Sequence, residues 1–271
     1  YYAIQVKSGG TFTHNNGTVT CAKRLLSPTG ANQELVLNGN DLYNLNIAPA
    51  VGGNTTVLIS NNEQLAGLTV ANDLNVAVSK TFKTFGAANS KPLTVSGMAT
   101  ISGTLGVATE TSDWTFGTLD VIGTYIAPQG TTKLYGKTGV TYTQTGTFTH
   151  NDGLFWVSGG SQQMKWGDTL HGPFYDLKSS GVGNEMRGKA VGIENSFIIT
   201  DGTVQPSYNA GTGKVWTLGT ATSSAYISGT TAECLKIHDS QPPYHFVVQA
   251  SSSVYPAELK GTEWNWCAGD V

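Results

Sequence analysis

An octapeptide that occurs twice constrains this chain more than any other feature. Gly10-Thr11-Phe12-Thr13-His14-Asn15-Asn16-Gly17 returns as Gly146-Thr147-Phe148-Thr149-His150-Asn151-Asp152-Gly153, and Leu42-Tyr43-Asn44-Leu45 returns as Phe174-Tyr175-Asp176-Leu177. The offsets, 146 − 10 = 136 and 174 − 42 = 132, are nearly equal and the order is kept. That pattern reads as a duplicated module. A finer beat runs inside the first copy, where Leu68-Thr69-Val70, Leu93-Thr94-Val95 and Leu119-Asp120-Val121 follow at steps of 93 − 68 = 25 and 119 − 93 = 26. Each is followed by a second apolar pair, Leu74/Val76, Thr100/Ile101 and Tyr125/Ile126. Phe197-Ile198-Ile199, Val215-Trp216-Thr217-Leu218 and Leu235-Lys236-Ile237 carry it on at 215 − 197 = 18 and 235 − 215 = 20. A fixed period of this length means stacked units, each covering its neighbour's apolar face.

The units are strands. Each apolar run is a few residues long, β-branched, and stopped by Gly, Asn or Ser, whereas no stretch carries apolar residues at i, i+3, i+4 and i+7. Composition agrees: 34 Gly and 36 Thr stand against 3 Met, and long charged helix formers are scarce. The expected fold is all-β, a β-solenoid (β-helix) of short strands with a duplicated module. The alternative is a pair of tandem antiparallel β-sandwich domains, because Asn16-Gly17 between strand-like runs is a hairpin signal. Residues 1–140 are expected to form the first repeat module, 141–232 the second, and 233–271, where the repeat fades, a C-terminal cap or interface region. Gly-rich corners are expected because tight bends need φ > 0.

Charge narrows the partners. With 15 Lys and Arg against 18 Asp and Glu, net −3, and no basic cluster, nucleic-acid binding is not expected. No apolar run approaches the roughly 18 residues of a membrane span. The start at Tyr1-Tyr2-Ala3 suggests a processed product or an excised segment. Three cysteines, Cys21, Cys234 and Cys267, are too few and too scattered for a disulfide framework. A Cys234–Cys267 bridge is the minor alternative to three buried free thiols.

Chemistry is sparse. Asp113, Asp120, Asp152, Asp168, Asp176, Asp201 and Asp239 fall one or two per coil with no Asp-x-Asp group, so a catalytic carboxylate pair is not expected, and neither is enzymatic activity. His14 and His150 are separated by 150 − 14 = 136 positions, about five coils or roughly 26 Å at strand spacing, too far to share an ion. Each imidazole is instead expected to bond the backbone of the turn after it. No nucleotide loop, nucleophile elbow or zinc motif is present, so no cofactor or metal is expected. Of the tryptophans, Trp114, Trp156, Trp166, Trp216, Trp264 and Trp266, most should line the core or a subunit interface. Trp156, Trp166, Tyr175, Trp264 and Trp266 are the candidate contacts for a glycan or a partner.

At Gly10–Val19, Leu42–Ile47 and the Leu-Thr-Val and Ala-Thr-Ile-Ser-Gly-Thr-Leu stretch of residues 93–105, the chain resembles repetitive right-handed β-helix proteins. These occur on bacteriophage particles, as tail-fibre, spike and head-decoration proteins, and on bacterial surfaces, as haemagglutinin-like adhesins. The likeness covers about residues 9–200. It implies a non-enzymatic structural protein, extracellular, on a virion surface or alternatively a bacterial cell surface. It also implies a homo-oligomer, a trimer in the first place, meeting other virion or surface proteins or a cell-surface glycan.

Overall fold

The computed structural model describes residues 2–22, 32–48, 55–59, 67–84, 89–136, 139–166, 171–187, 190–200, 204–206, 214–218, 226–229, 246–250 and 258–260. The chain is all-β, with parallel sheets forming a β-solenoid of about 6 turns. No α-helix occurs among the described residues. Parallel pairing overturns the sandwich alternative, and with it the hairpin reading of Asn16-Gly17. The turn is there, but the strand it feeds, Thr18–Cys21, pairs in parallel with Asn44–Ile47, one full coil further along the chain.

Two compact units are present, residues 1–132 with 146–151, and residues 133–145 with 152–271. In the first, seven parallel strands line one sheet: Tyr2–Gln5, Gln33–Val36, Thr55–Ile59, Lys80–Lys83, Thr104–Leu105, Thr124–Ile126 and Thr147–Thr149. Side chains alternate between the two faces of a strand, so register turns alternation into columns. Val57, Phe82, Leu105, Tyr125 and Phe148 stack inward, while Thr56, Thr81, Thr104, Thr124 and Thr147 stack outward. On the facing strands, Leu68, Leu93 and Trp114 form another buried column. Amides bond along the stack as well as the backbone does: Asn75 Nδ2 donates to Asn46 Oδ1 at 2.8 Å, and Asn72 Nδ2 to Asn44 Oδ1 at 2.9 Å.

The fine beat of the first copy holds for its first step and slips on the second. Leu93 is opposite Trp114, and Leu119 is opposite Ala99, further along the same pair of strands past a register shift between Phe116 and Thr118. The coil that begins at Leu93 closes at Trp114, ahead of Leu119. It is shorter than the coil before it, so equal spacing in sequence overshoots to a position further along the same strand.

In the second unit, Leu154–Ser158, His171–Ser180, Ala190–Thr200, Tyr226–Gly229 and Glu258–Lys260 follow one another in parallel. Tyr142, Phe155 and Phe174 form its aromatic core, with ring centroids 5.2 Å (Tyr142 to Phe155) and 5.0 Å (Phe155 to Phe174) apart. Here the shorter beat fails. Phe197–Ile199 stacks on Ile227–Gly229, and Val215–Leu218 stacks instead on Ala190–Ile193, the front half of the same long strand. Leu235–Ile237 lies outside the described residues.

The duplicated module is preserved in three dimensions. Thr18 is opposite Asn44 and Leu154 is opposite Asp176. Asn44 N–H donates to Gly17 O at 3.3 Å, and Asp176 N–H to Gly153 O at 3.5 Å. Both copies bend through two consecutive left-handed residues: Asn15 and Asn16 at φ 46° and 57°, and Asn151 and Asp152 at φ 51° and 58°. Asn and Asp are the side chains that tolerate this region best after Gly.

Cys21 is a buried free thiol, and burial pushes its pKa up to about 11. Neutral thiol is poorly nucleophilic. Iodoacetamide at pH 8 is therefore expected to leave Cys21 unmodified in the folded protein and to label it fully in denaturant, read by peptide mass spectrometry. Labelling at equal rates in both states would show that Cys21 is not buried. Cys234 and Cys267 lie outside the described residues.

Candidate functional site

Trp156 occupies the middle of Leu154–Ser158, between inward-facing Phe155 and Val157, so alternation turns it outward. Its indole is half-buried, and Nε1 donates to Ser180 Oγ at 2.8 Å. Register places Lys178 directly opposite Trp156, and Lys133 reaches it from the strand Thr131–Leu134. The ammonium of Lys133 stands 4.2 Å from the ring centroid and that of Lys178 4.4 Å. Each contact is of the kind worth about 0.5–1 kcal/mol at a surface. The Lys133 ammonium is also 5.5 Å from the ring of Tyr135, which is 67% exposed. Tyr135, Lys133, Trp156 and Lys178 thus form one continuous basic and aromatic patch on the second unit.

This geometry alters the role open to Trp156. An aromatic platform for sugar stacking needs a bare face, and here ammonium groups occupy the ring. What the patch offers outward is positive charge beside the tyrosine ring. Among the described residues neither lysine has a carboxylate partner. Asp176, two residues before Lys178, is engaged elsewhere: its Oδ1 accepts from Asn195 Nδ2 at 2.8 Å and from the Ser196 hydroxyl. The residue that follows Lys178 along the ladder is Ile198.

The other expected contacts do not join the patch. Tyr175 is half-buried on His171–Ser180, three residues from Lys178, about 10 Å along a strand. Trp166 ends the strand Gln162–Trp166, and its side chain lies outside the described residues, as do Trp264 and Trp266 entirely. Lys133 and Lys178 escaped sequence reasoning, because 133, 156 and 178 become neighbours only once the register is known, and Tyr135 stood out only as one of several interspersed tyrosines. The one local signal is the alternation Thr131-x-Lys133-x-Tyr135. Trp114, by contrast, is core: it is fully buried and its Nε1 donates to Lys91 O at 3.2 Å.

The histidine of the first repeat does what its position predicts. His14 Nδ1 accepts the N–H of Asn16 at 3.0 Å, and its ring stacks on Tyr43 at 5.5 Å. No group of three potential metal ligands occurs among the described residues.

The carboxylates serve corners. Asp113 Oδ1 accepts the Thr131 N–H at 2.7 Å, and Asp73 Oδ1 accepts the Met98 N–H at 2.8 Å. Glu110 is fully buried, a setting that invites a catalytic reading, but both of its oxygens are engaged. Oε1 accepts the Ser112 N–H at 3.0 Å and the Ser112 hydroxyl at 2.5 Å, and Oε2 accepts the Thr84 hydroxyl. Its backbone C=O accepts the Gln129 N–H at 2.7 Å. Glu110 thus ties three segments of one corner together. Comparison with protein-family models, curated proteins and solved structures finds no match.

Proposed function

We propose that this chain is a non-enzymatic structural protein of an extracellular particle, in the first place a phage virion component of head-decoration, fibre or spike type. The reading rests above all on how the acidic side chains are used. Asp73, Asp113, Asp176 and Glu110, the groups a polysaccharide-cleaving β-helix would gather in a groove, are each spent on hydrogen bonds that hold one segment to another, Glu110 through the Thr84 hydroxyl. Stacked coils whose polar side chains bond to the next coil make a scaffold that resists proteolysis and presents loops. The resemblance of residues 9–200 to virion and surface β-helices points the same way. A homo-oligomer, a trimer first, belongs to this proposal.

Peptide mass spectrometry on density-banded virus-like particles and on cellular envelopes from the source culture tests it. The chain is expected in stoichiometric amount on the particles. Recovery only from envelopes would overturn the virion assignment and leave the second reading, a bacterial surface adhesin that binds glycans. That reading is favoured by one observation, the patch in which exposed Tyr135 adjoins half-buried Lys133, Trp156 and Lys178.

A further inference from the structure

We propose that this patch is a binding site for an acidic polysaccharide of the uronic-acid type, an inference that rests on the glycan-binding reading and names its ligand class. Two ammonium groups are held against one indole, at 4.2 and 4.4 Å from its centroid, so they lie at most 4.2 + 4.4 = 8.6 Å apart. The ring attracts them through its quadrupole and does not neutralise them. Among the described residues no carboxylate pairs with either lysine, and the nearest acid along the strand, Asp176, turns its Oδ1 to Asn195 and Ser196. Two cations on one ring, with no carboxylate partner among the described residues, seek anions. A polymer with one carboxylate per sugar supplies them in a row.

Tyr135 decides between polyanions. Its ring is exposed beside Lys133, which suits the apolar face of a pyranose next to the carboxylate that the lysine would bind. A nucleic-acid backbone fits poorly, because holding successive phosphates takes a continuous basic run, and this patch pairs two lysines with an aromatic face suited to a sugar ring. The indole acts as a spacer. It fixes both lysine stems before the ligand arrives, which lowers the ordering cost of binding.

The test is affinity electrophoresis of the full chain through native gels containing polygalacturonate, with fully methyl-esterified polygalacturonate and dextran as parallel arms. Migration should be retarded by polygalacturonate alone, and the retardation should fade with added salt. K133M/K178M should weaken binding at least tenfold, K133R/K178R should keep it, and Y135A should weaken it several-fold. Unchanged circular dichroism would show that the variants fold. Equal retardation by the methyl ester, or undiminished binding by K133M/K178M, would overturn the site. Retardation by dextran alone would sink the acidic ligand while sparing the glycan-binding reading, and retardation by none of the three would remove this proposal. Whole-cell adhesion assays then distinguish the two failures, since adhesion that survives in K133M/K178M would keep the adhesin reading without this patch.

Discussion

Alanine at Gly123 is expected to destabilise the first unit by about 3 kcal/mol, the upper end of what one inserted methyl costs in a packed interior. That corresponds to a fall of about 10 °C in the far-UV circular dichroism midpoint. Gly103, Gly123 and Gly146 occupy equivalent corners of successive coils and stack on one another. A Cβ on Gly123 would meet the carbonyl oxygens of Gly103 and Ser102, and one on Gly146 those of Gly123 and Ile122, all nearer than the 3.0 Å that real Cβ atoms keep. The obstacles are backbone atoms fixed by the ladder. Gly123 N–H itself donates to Ile101 O at 2.7 Å, so the corner cannot swing away without losing that bond. Gly39 is the informative control. It has φ +85° and nothing within 4 Å of its would-be Cβ, so Gly39→Ala meets only the conformational cost of a left-handed residue, about 1–2 kcal/mol. A Gly123→Ala midpoint no lower than that of Gly39→Ala would refute the stacked column.

The glycine column also shows where sequence reasoning stops. Tight bends are expected to select Gly for positive φ, yet several left-handed corners are filled by Asn15, Asn16, Asn38, Ser79, Asn151, Asp152 and Ser161. The Gly103, Gly123 and Gly146 corners are not among the positive-φ glycines. They need Gly because coils approach too closely for a side chain, a constraint set between units distant in sequence. The solenoid itself was legible, since β-branched triplets that recur at a near-constant spacing leave few other ways to bury one face. The duplicated module was legible too, because Asn44 and Asp176 repeat the same bond to Gly17 and Gly153. The assignment of triplets to ladders was not. Leu119-Asp120-Val121 resembles Leu93-Thr94-Val95 as text, but two strands per coil share this apolar pattern and coil length varies, so likeness alone does not identify the partner. The same limit hid the patch. Trp156 could be singled out as an aromatic, whereas its coupling to Lys133 and Lys178 depends on a register that varying coil lengths obscure.

Removing the ring of Tyr125 is expected to have the largest effect of a single truncation, about 4 kcal/mol for Tyr125→Ala. The side chain is fully buried, with Trp114, Phe116 and Phe148 at centroid distances of 6.2, 6.0 and 5.9 Å. Its hydroxyl shares a hydrogen bond of 2.6 Å with Thr132 Oγ1. Tyr125→Phe separates the two contributions: it keeps the aromatic packing and orphans only Thr132, for about 1 kcal/mol. Burial pushes the Tyr125 phenol well above its ordinary range, with the charge of Glu110 adding to the rise and the Thr132 bond opposing it. A phenol that stays neutral when folded and ionises when unfolded stabilises the fold below about pH 10 and loses that contribution as the pH climbs higher. Tyr125→Phe should therefore unfold less steeply with alkali than the parent. Because each coil is braced by its neighbours, Tyr125→Ala should strip amide-exchange protection first from Thr104–Leu105, Thr124–Ile126 and Thr147–Thr149, leaving Tyr2–Gln5 protected longer. Simultaneous loss throughout the first unit would mean that its coils melt as one body and that the aromatic column governs all of them.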